Sequence, residues 1–338
     1  MFKRYLSKIY EQKDLSETEM GEMMALVFSG KLTDSQIGAF MAALATKGET
    51  FAELAGAARA MRKKAQKIEV SAANIVDTCG TGGDGLSTFN ISTTTAFVVA
   101  GCGVTVAKHG NRSVSSKCGS ADVLEALGVK IDVDPEIVEE AVFETGIGFL
   151  FAPIYHGAMR YAAKARKEIG LRSIFNMLGP LTNPASANCQ LVGVYAPHLT
   201  EMFAHALKLL GAKRAMVVHG HDGLDEISVC APTRVSEFDG NTVSTYDIRP
   251  EKYFGKLADP EDIAGGDAGK NASITKRVLE GDKGPCRDIV LINAAAALKI
   301  AQVVDDIGDG IELARDAIDS GAAAKKLEAL ARYTRENG

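Results

Sequence analysis

Several absences narrow this chain before any motif is considered. Its six cysteines, at positions 79, 102, 118, 189, 230 and 286, never form a Cys-x-x-Cys pair. Such spacing builds neither a zinc cage nor the disulfide framework of a small secreted protein, and buried thiols suit a reducing cytosol. No apolar run reaches membrane-spanning length, and the opening Met-Phe-Lys-Arg-Tyr-Leu-Ser-Lys has no apolar signal core. A cytoplasmic protein with no membrane partner is expected. An excess of positive charge is also missing. The net charge is −5, so no broad nucleic-acid footprint is expected and any phosphate site must be local. What remains is 338 residues, 46% hydrophobic and 24% charged, which suits a soluble protein of one large domain or two ordinary ones.

The densest signal is Asp77-Thr-Cys-Gly-Thr-Gly-Gly-Asp-Gly-Leu-Ser-Thr-Phe-Asn-Ile-Ser-Thr-Thr94, followed by Thr95. A short β-like run, Ile75-Val76, leads into a bend containing Gly80, Gly82, Gly83 and Gly85, and a helix is predicted to begin near Asn90. Glycines let backbone N–H groups converge without Cβ obstruction. The first N–H groups of a helix lack internal partners and sit at its positive end. Together they form a cradle for phosphate or pyrophosphate, with hydroxyls from Ser87, Thr88, Ser92 and Thr93 at its mouth. The plainer alternative is an ordinary glycine turn with a Ser/Thr cap. No Gly-Lys-Ser/Thr follows, which excludes a Walker A loop, and the glycine spacing does not fit a dinucleotide fingerprint. The pattern indicates phosphate without saying which.

Residues 1–68 read as helical, with capping boxes at Ser16/Glu19, Thr33/Gln36 and Thr50/Glu53 and stops at Gly30 and Gly48. From Ile75 short β-runs alternate with helices. The runs are 75–78, 104–107, 129–133, 148–152, 191–195, 215–219 and 289–292, with weaker β-prone pieces at 235–238 and 242–246. This order predicts an α/β fold: a small all-helical domain plus a larger α/β domain with a mainly parallel central sheet. Residues 1–70, joined by a returning helical segment at about 156–185, form the helical domain. Residues 71–155 and 186–338 form the α/β domain. Ligands of such sheets lie at the carboxyl ends of the strands.

Two more clusters follow strands. Lys108-His-Gly-Asn-Arg-Ser-Val-Ser-Ser-Lys-Cys-Gly-Ser-Ala-Asp122 carries cations, an amide and four serines, and would aim Lys108 and Asn111 at the anion pocket. A polar surface loop is its bland reading. His219-Gly-His-Asp-Gly-Leu-Asp-Glu226 sets Asp225 beside Glu226, hard oxygen donors of the kind Mg²⁺ takes together with water and substrate phosphates. A solvated acidic turn is the alternative. His219 and His221 lack a third zinc ligand at suitable spacing. Val303-Val-Asp-Asp306 looks like the acidic signature of the common phosphoribosyltransferases but is followed by no hydroxyl-bearing phosphate loop, so it is read as a helix end.

At these residues the chain resembles the anthranilate phosphoribosyltransferase family. The resemblance runs over nearly its whole length and includes Gln36–Leu44, Lys47–Thr50, Asp77–Thr95, Lys108–Leu127, Ser173–Pro184, Asp222–Glu226 and Asn293–Leu298. It implies transfer of a 5-phosphoribosyl group from phosphoribosyl pyrophosphate to anthranilate, with release of pyrophosphate, in the second step of tryptophan biosynthesis. It also implies Mg²⁺, two ions per subunit, and a homodimer made through the helical domain. For phosphoribosyl pyrophosphate the resemblance assigns Gly80, Gly83, Asp84, Thr88, Asn90, Ile91, Ser92, Thr93, Lys108, Ser116 and Ser120. For anthranilate it assigns Gly80, Asn111 and Arg166, and for metal Ser92, Asp225 and Glu226. Cys118 departs from the more usual serine. No dedicated general acid or base is expected, because an aromatic amine is neutral at pH 7 and has its lone pair available. The rivals are a pyrimidine nucleoside phosphorylase-like enzyme, which needs no Asp-Glu metal pair, and a non-catalytic nucleic-acid-binding relative, which predicts a basic face.

Overall fold

In the computed structural model, which describes residues 1–113 and 117–338, four helices open the chain: Phe2–Tyr10, Glu17–Val27, Asp34–Lys47 and Phe51–Lys64. The three expected capping boxes are all formed. At the first, Glu19 N donates to Ser16 Oγ at 3.2 Å and Ser16 N donates back to the Glu19 carboxylate at 3.0 Å. Met20, Met23, Met24, Phe40, Met41 and Leu44 fill the interior of this bundle. Glu53 is fully buried there, yet its carboxylate accepts from Leu15 N, Thr50 N and Lys47 Nζ, each at 2.9 Å. The helix Arg160–Ile169 packs against Asp34–Lys47.

The remainder is built on a seven-stranded sheet: β1 (Ile75–Gly80), β2 (Thr105–Gly110), β3 (Ile147–Phe151), β4 (Cys189–Gly193), β5 (Arg214–Gly220), β6 (Thr233–Phe238) and β7 (Val243–Ile248). The strand order is β3-β2-β1-β4-β5-β6-β7. Pairing is parallel from β3 to β5, and β6 and β7 are added antiparallel. From β1 the chain winds outward to β2 and β3, then crosses back to β4 on the other side. The β1/β4 junction is therefore the switch point at which α/β sheets open a crevice.

Two expected strands are absent. Residues 289–292 lie within the helix Pro285–Ile300, which is buried nearly all round. A short apolar run alone does not distinguish such a helix from a buried strand. Residues 129–133 alternate as expected, with Val129, Ile131 and Val133 buried, but no strand lies alongside. Lys130 N donates instead to the Thr334 hydroxyl of the C-terminal helix at 3.0 Å. The β-prone pieces in 231–285 form β6 and β7. Asp306 is a helix end, accepting from Asp309 N at 3.0 Å as the N-cap of Ile307–Asp319. Among the described residues no helix is long and apolar enough to cross a membrane.

Candidate active site

The carboxyl ends of β1, β2, β4 and β5 meet in one crevice. Beyond β1 the chain bends at once, with Gly82, Gly83 and Gly85 at φ of +63°, +80° and +80°, a region open to glycine at little cost. The bend is pinned to β4: Thr81 N donates to Gly193 O at 2.9 Å, and Tyr195 N donates to the Thr81 hydroxyl at 3.1 Å. It is also pinned to the acidic corner, where Gly82 N donates to Asp225 Oδ2 at 3.0 Å. The glycine stretch and the Asp-Glu pair, 143 positions apart in the chain, are thus in direct contact.

Two missing side chains allow this approach. A Cβ on Gly80 would lie 2.9 Å from Asp225 Oδ2, and one on Gly193 would run into the Asp225 carbonyl. Behind the acidic pair stands Asn293, fully buried on the helix Pro285–Ile300. Ile227 N donates to Asn293 Oδ1 at 3.0 Å, while Asn293 Nδ2 donates to Ile227 O at 2.9 Å. This peptide-like pairing fixes the backbone immediately after Glu226, where no neighbouring strand could do so.

The bend and the acidic corner enclose an open cavity of about 200 Å³. Gly80, Gly83, Asp84, Thr88, Asn90, Ile91, Ser92, Ser120, Asp225 and Glu226 line it. Other residues from the sequence reading lie elsewhere. Thr93 is fully buried in the first helical turn, its hydroxyl without a protein partner. Lys108 is buried behind the wall, donating to Thr78 O and to Ser92 Oγ, the latter at 3.3 Å. Asn111 is exposed and accepts from Arg112 N at 2.8 Å. Arg166 is half-buried on the returning helix, with its guanidinium 5.6 Å from the centre of the Phe175 ring. Ser116 lies outside the described residues. The His-x-His pair diverges: His219 Nδ1 faces Val194 O at 2.7 Å, and His221 pairs with Asp247 at 3.4 Å.

Charge is held here under strain. Burial and then Asp84 push the Asp225 carboxyl up to about 7. Burial and then Asp225 push Glu226 up to about 8, against the opposing pull of Lys108. Asp84 is raised as well, chiefly by burial. Lys108 is lowered by burial although Asp77, Cys79 and Glu226 favour its charge. Three crowded carboxyls facing one cation favour an added positive charge. Among the described residues no three His, Cys, Asp or Glu side chains form a ligand cage. Mg²⁺ needs none, because it keeps one or two carboxylates and completes its shell with water and phosphate oxygens. The donor set fits an ion shared with a phosphorylated ligand.

The chain matches the family model for the α/β domain of a glycosyl transferase family over residues 72–324, and the model for the helical-bundle domain of that family over residues 3–65. An anthranilate phosphoribosyltransferase from Syntrophobacter fumaroxidans is 68% identical over 332 residues, covering 98% of each chain. Another, from Desulfosudis oleivorans, is 66% identical over the whole of both chains. The chain belongs to the anthranilate phosphoribosyltransferase family. Solved structures of the family superimpose closely. The enzyme from Thermus thermophilus is 42% identical with a TM-score of 0.93, covering 98% of this chain and 99% of its own. That from Saccharomyces cerevisiae, in complex with phosphoribosyl pyrophosphate and Mg, is 28% identical with a TM-score of 0.91, covering 99% of this chain and 98% of its own. Members of this family are glycosyltransferases.

Several residues that shape this family site in the chain were not singled out by sequence reasoning. Asn183 Nδ2 donates to the buried Asp77 carboxylate and to Ala107 O, both at 2.8 Å, tying the Gly179–Pro184 turn under β1 and β2. The Arg172 guanidinium lies 4.1 Å from the centre of the Tyr195 ring and donates to Gly83 O, joining the returning segment to the bend. His109 Nδ1 faces Gly179 O at 3.1 Å and its Nε2 lies 3.2 Å from His156 Nε2. A carbonyl only accepts, so His109 carries its proton on Nδ1 and accepts at Nε2 from His156. That leaves His156 Nδ1 buried without a partner. The one available signal for the asparagines was position: Asn271 and Asn293 sit inside helices, where asparagine is disfavoured.

Proposed function

We propose that the chain transfers the 5-phosphoribosyl group of phosphoribosyl pyrophosphate to the amine of anthranilate, releasing pyrophosphate, as the second step of tryptophan biosynthesis. The observation that carries this reading is the 3.0 Å bond from Gly82 N to Asp225 Oδ2, which makes the anion cradle and the acidic pair one site. The donor's phosphates occupy the crevice lined by Gly80, Gly83, Asp84, Thr88 and Asn90–Ser92, over the first turn of the helix, with Thr93 behind it. Ser120 lines the far side, and Ser116 is assigned to the donor by the resemblance alone. Asp225, Glu226 and Ser92 hold Mg²⁺, two ions per subunit, which supplies charge neutralisation for the departing pyrophosphate. The yeast enzyme's complex with phosphoribosyl pyrophosphate and Mg supports, by similarity, a donor held together with Mg²⁺.

The helix N–H groups, with the Lys108 charge acting from behind the wall through Ser92, stabilise the charge that the leaving group gains as the ribose C1–O bond breaks. The ribose acquires oxocarbenium character, and the neutral aromatic amine attacks C1 with its own lone pair. No side chain is needed as a strong base. Positioning carries much of the barrier reduction, worth up to ~7–11 kcal/mol for well-oriented reactants. Arg166 receives the anthranilate carboxylate. It is half-buried, and among the described residues no carboxylate lies within ion-pair distance of it, so its charge is available for a bidentate partner. Asn111 and the Gly80 backbone complete the anthranilate contacts.

With a helical domain of 1–70 plus about 156–185 and an α/β domain of the rest, the donor sits on the α/β unit while anthranilate spans Arg166 on one unit and Asn111 and Gly80 on the other, and closure between the units brings them together. Tyr10 and Phe51, exposed rings on the bundle, support a homodimer formed through that domain. The test follows anthranilate fluorescence. Loss of signal requires the donor and Mg²⁺ together, and undiminished fluorescence with both present would overturn the reading.

A further inference from the structure

The helix Ile91–Gly101 begins differently from the three capped helices of the bundle. Asn90 stands at its N-cap, yet the Asn90 side chain makes no bond to the first turn. Its ψ is 74°, against 163°, 159° and 161° at Ser16, Thr33 and Thr50. The Asn90 amide is engaged elsewhere: its Oδ1 accepts from Cys118 Sγ at 3.3 Å and, more closely, from a residue 181 positions away. Asn271, 1% exposed on the helix Ala268–Leu279, accepts from Gly266 N at 2.7 Å and donates through Nδ2 to Asn90 Oδ1 at 2.9 Å. Asn90 Nδ2 in turn donates to the Cys118 carbonyl at 3.3 Å. Both ends of this relay are backbone groups. An N–H cannot accept and a C=O cannot donate, so neither amide can be reversed without setting like against like.

We propose that Asn271 is a positioning residue for the phosphoribosyl donor, an inference that rests on the proposed reading of the glycine corner as the donor's cradle. As the shorter of the two donors to Asn90 Oδ1, beside the weaker Cys118 thiol, Asn271 keeps that oxygen away from the N–H groups of Ser92 and Thr93, which an N-cap amide ordinarily takes. Those donors, at the positive end of the helix, stay directed at the donor's phosphates. The segment that carries Asn271 also holds the bend itself: Gly265 N donates to Ser87 O at 2.8 Å, and Thr88 forms a β-bridge with Ala264. One stretch of chain thus grips both the outer half of the bend and its cap. Asn271 acts through Asn90 and touches no reacting atom.

Donor binding by calorimetry, with kcat and KM for both substrates, tests this in Asn90→Ala, Asn271→Ala, Asn271→Asp and the double alanine variant. In Asn271→Ala the donor's Kd and KM should rise about tenfold while the anthranilate KM stays within about twofold. Asn271→Asp keeps an acceptor for Gly266 N–H but sets an acceptor against Asn90 Oδ1. It should show the same donor-specific loss with the segment still anchored, and so decides the matter if the alanine variant does not fold. In the Asn90→Ala background, Asn271→Ala should add no further loss. Wild-type donor binding in the Asn271 variants, equal rises in both KM values, or losses that multiply in the double variant would overturn the proposal. Removing Asn90 Oδ1 also leaves those N–H groups free, so near-normal donor binding in Asn90→Ala would support the proposal, whereas no donor binding by the wild-type protein would overturn the reading of the cradle and the proposal with it.

Discussion

Glu53 in the helical bundle and Glu226 beside the sheet are both buried carboxylates, but their surroundings differ. Glu53 is met by one lysine and two backbone N–H groups. Glu226 is crowded by Asp225 and Asp84, with Lys108 opposing. The helix starts repeat the contrast. Three in the bundle are closed by their own side chains, whereas the one over the crevice is held open by a remote amide. The bundle satisfies its polar groups internally, and the crevice leaves charge and donors uncompensated. Crowded carboxyls and open helix N–H groups gathered at one corner mark where a ligand completes the structure.

Removing the crowded charge should break this contrast most strongly. Asp225→Asn with Glu226→Gln should lower Mg²⁺-dependent turnover by about 100-fold or more. Both groups have folded values raised above their unfolded ones, so their ionised forms oppose folding as pH rises through about 7 to 8. Without Mg²⁺ the variant should therefore melt higher than wild type at about pH 8.5, and a lower melting temperature would count against that account. Next, Gly193→Ala drives a Cβ into the Asp225 carbonyl. It should destabilise by about 1–3 kcal/mol in denaturant titration and depress turnover together.

The histidine pair gives a pH test on the side facing the returning segment. Burial pushes His109 down to about 3 and His156 to about 4. The unfolded chain, titrating near 6.5, binds more protons than the folded one between those values, so stability is full above about 6.5 and falls as pH drops toward about 4. Melting temperatures of His156→Gln should decline less steeply over that window. Arg166→Ala should raise the anthranilate KM about tenfold with a smaller effect on the donor, and a uniform effect on both would remove its assigned partner. Smallest of all, Thr33→Ala should cost about 1 kcal/mol of stability and leave kinetics untouched, because that cap serves only its helix.

What could be read from the sequence was local. Ser16-x-x-Glu19 and its two counterparts place donor and acceptor within one turn, and the glycines after β1 lie within a few residues of one another, so their spacing alone reveals their geometry. The alternation from Ile75 exposed the parallel sheet for the same reason. Pairings across long separations left no trace in spacing. Nothing near Asn271 points to Asn90, nothing near Arg172 points to Gly83, and nothing near Asn293 points to Ile227. Residues 289–292 were misread because burial on every side removes the periodicity that separates helix from strand. Lys108 shows a further limit: its strand-end position was legible, but the turn of its side chain toward Thr78 and Ser92 depended on neighbours folded in from elsewhere.

The interlock of Gly193 with the Asp225 carbonyl has an implication for redesign. Neither β1 nor β4 can present even a methyl group at its end without displacing Asp225, so the side of the crevice where the proposed function seats the diphosphate tolerates no added side chain at Gly80 or Gly193. Under the proposed function the wall left open to variation is the returning segment around Arg166, which is half-buried over Phe175 and interlocked with no strand end. Libraries aimed at new aromatic amines belong on that wall, and those aimed at the opposite wall should yield mostly inactive protein.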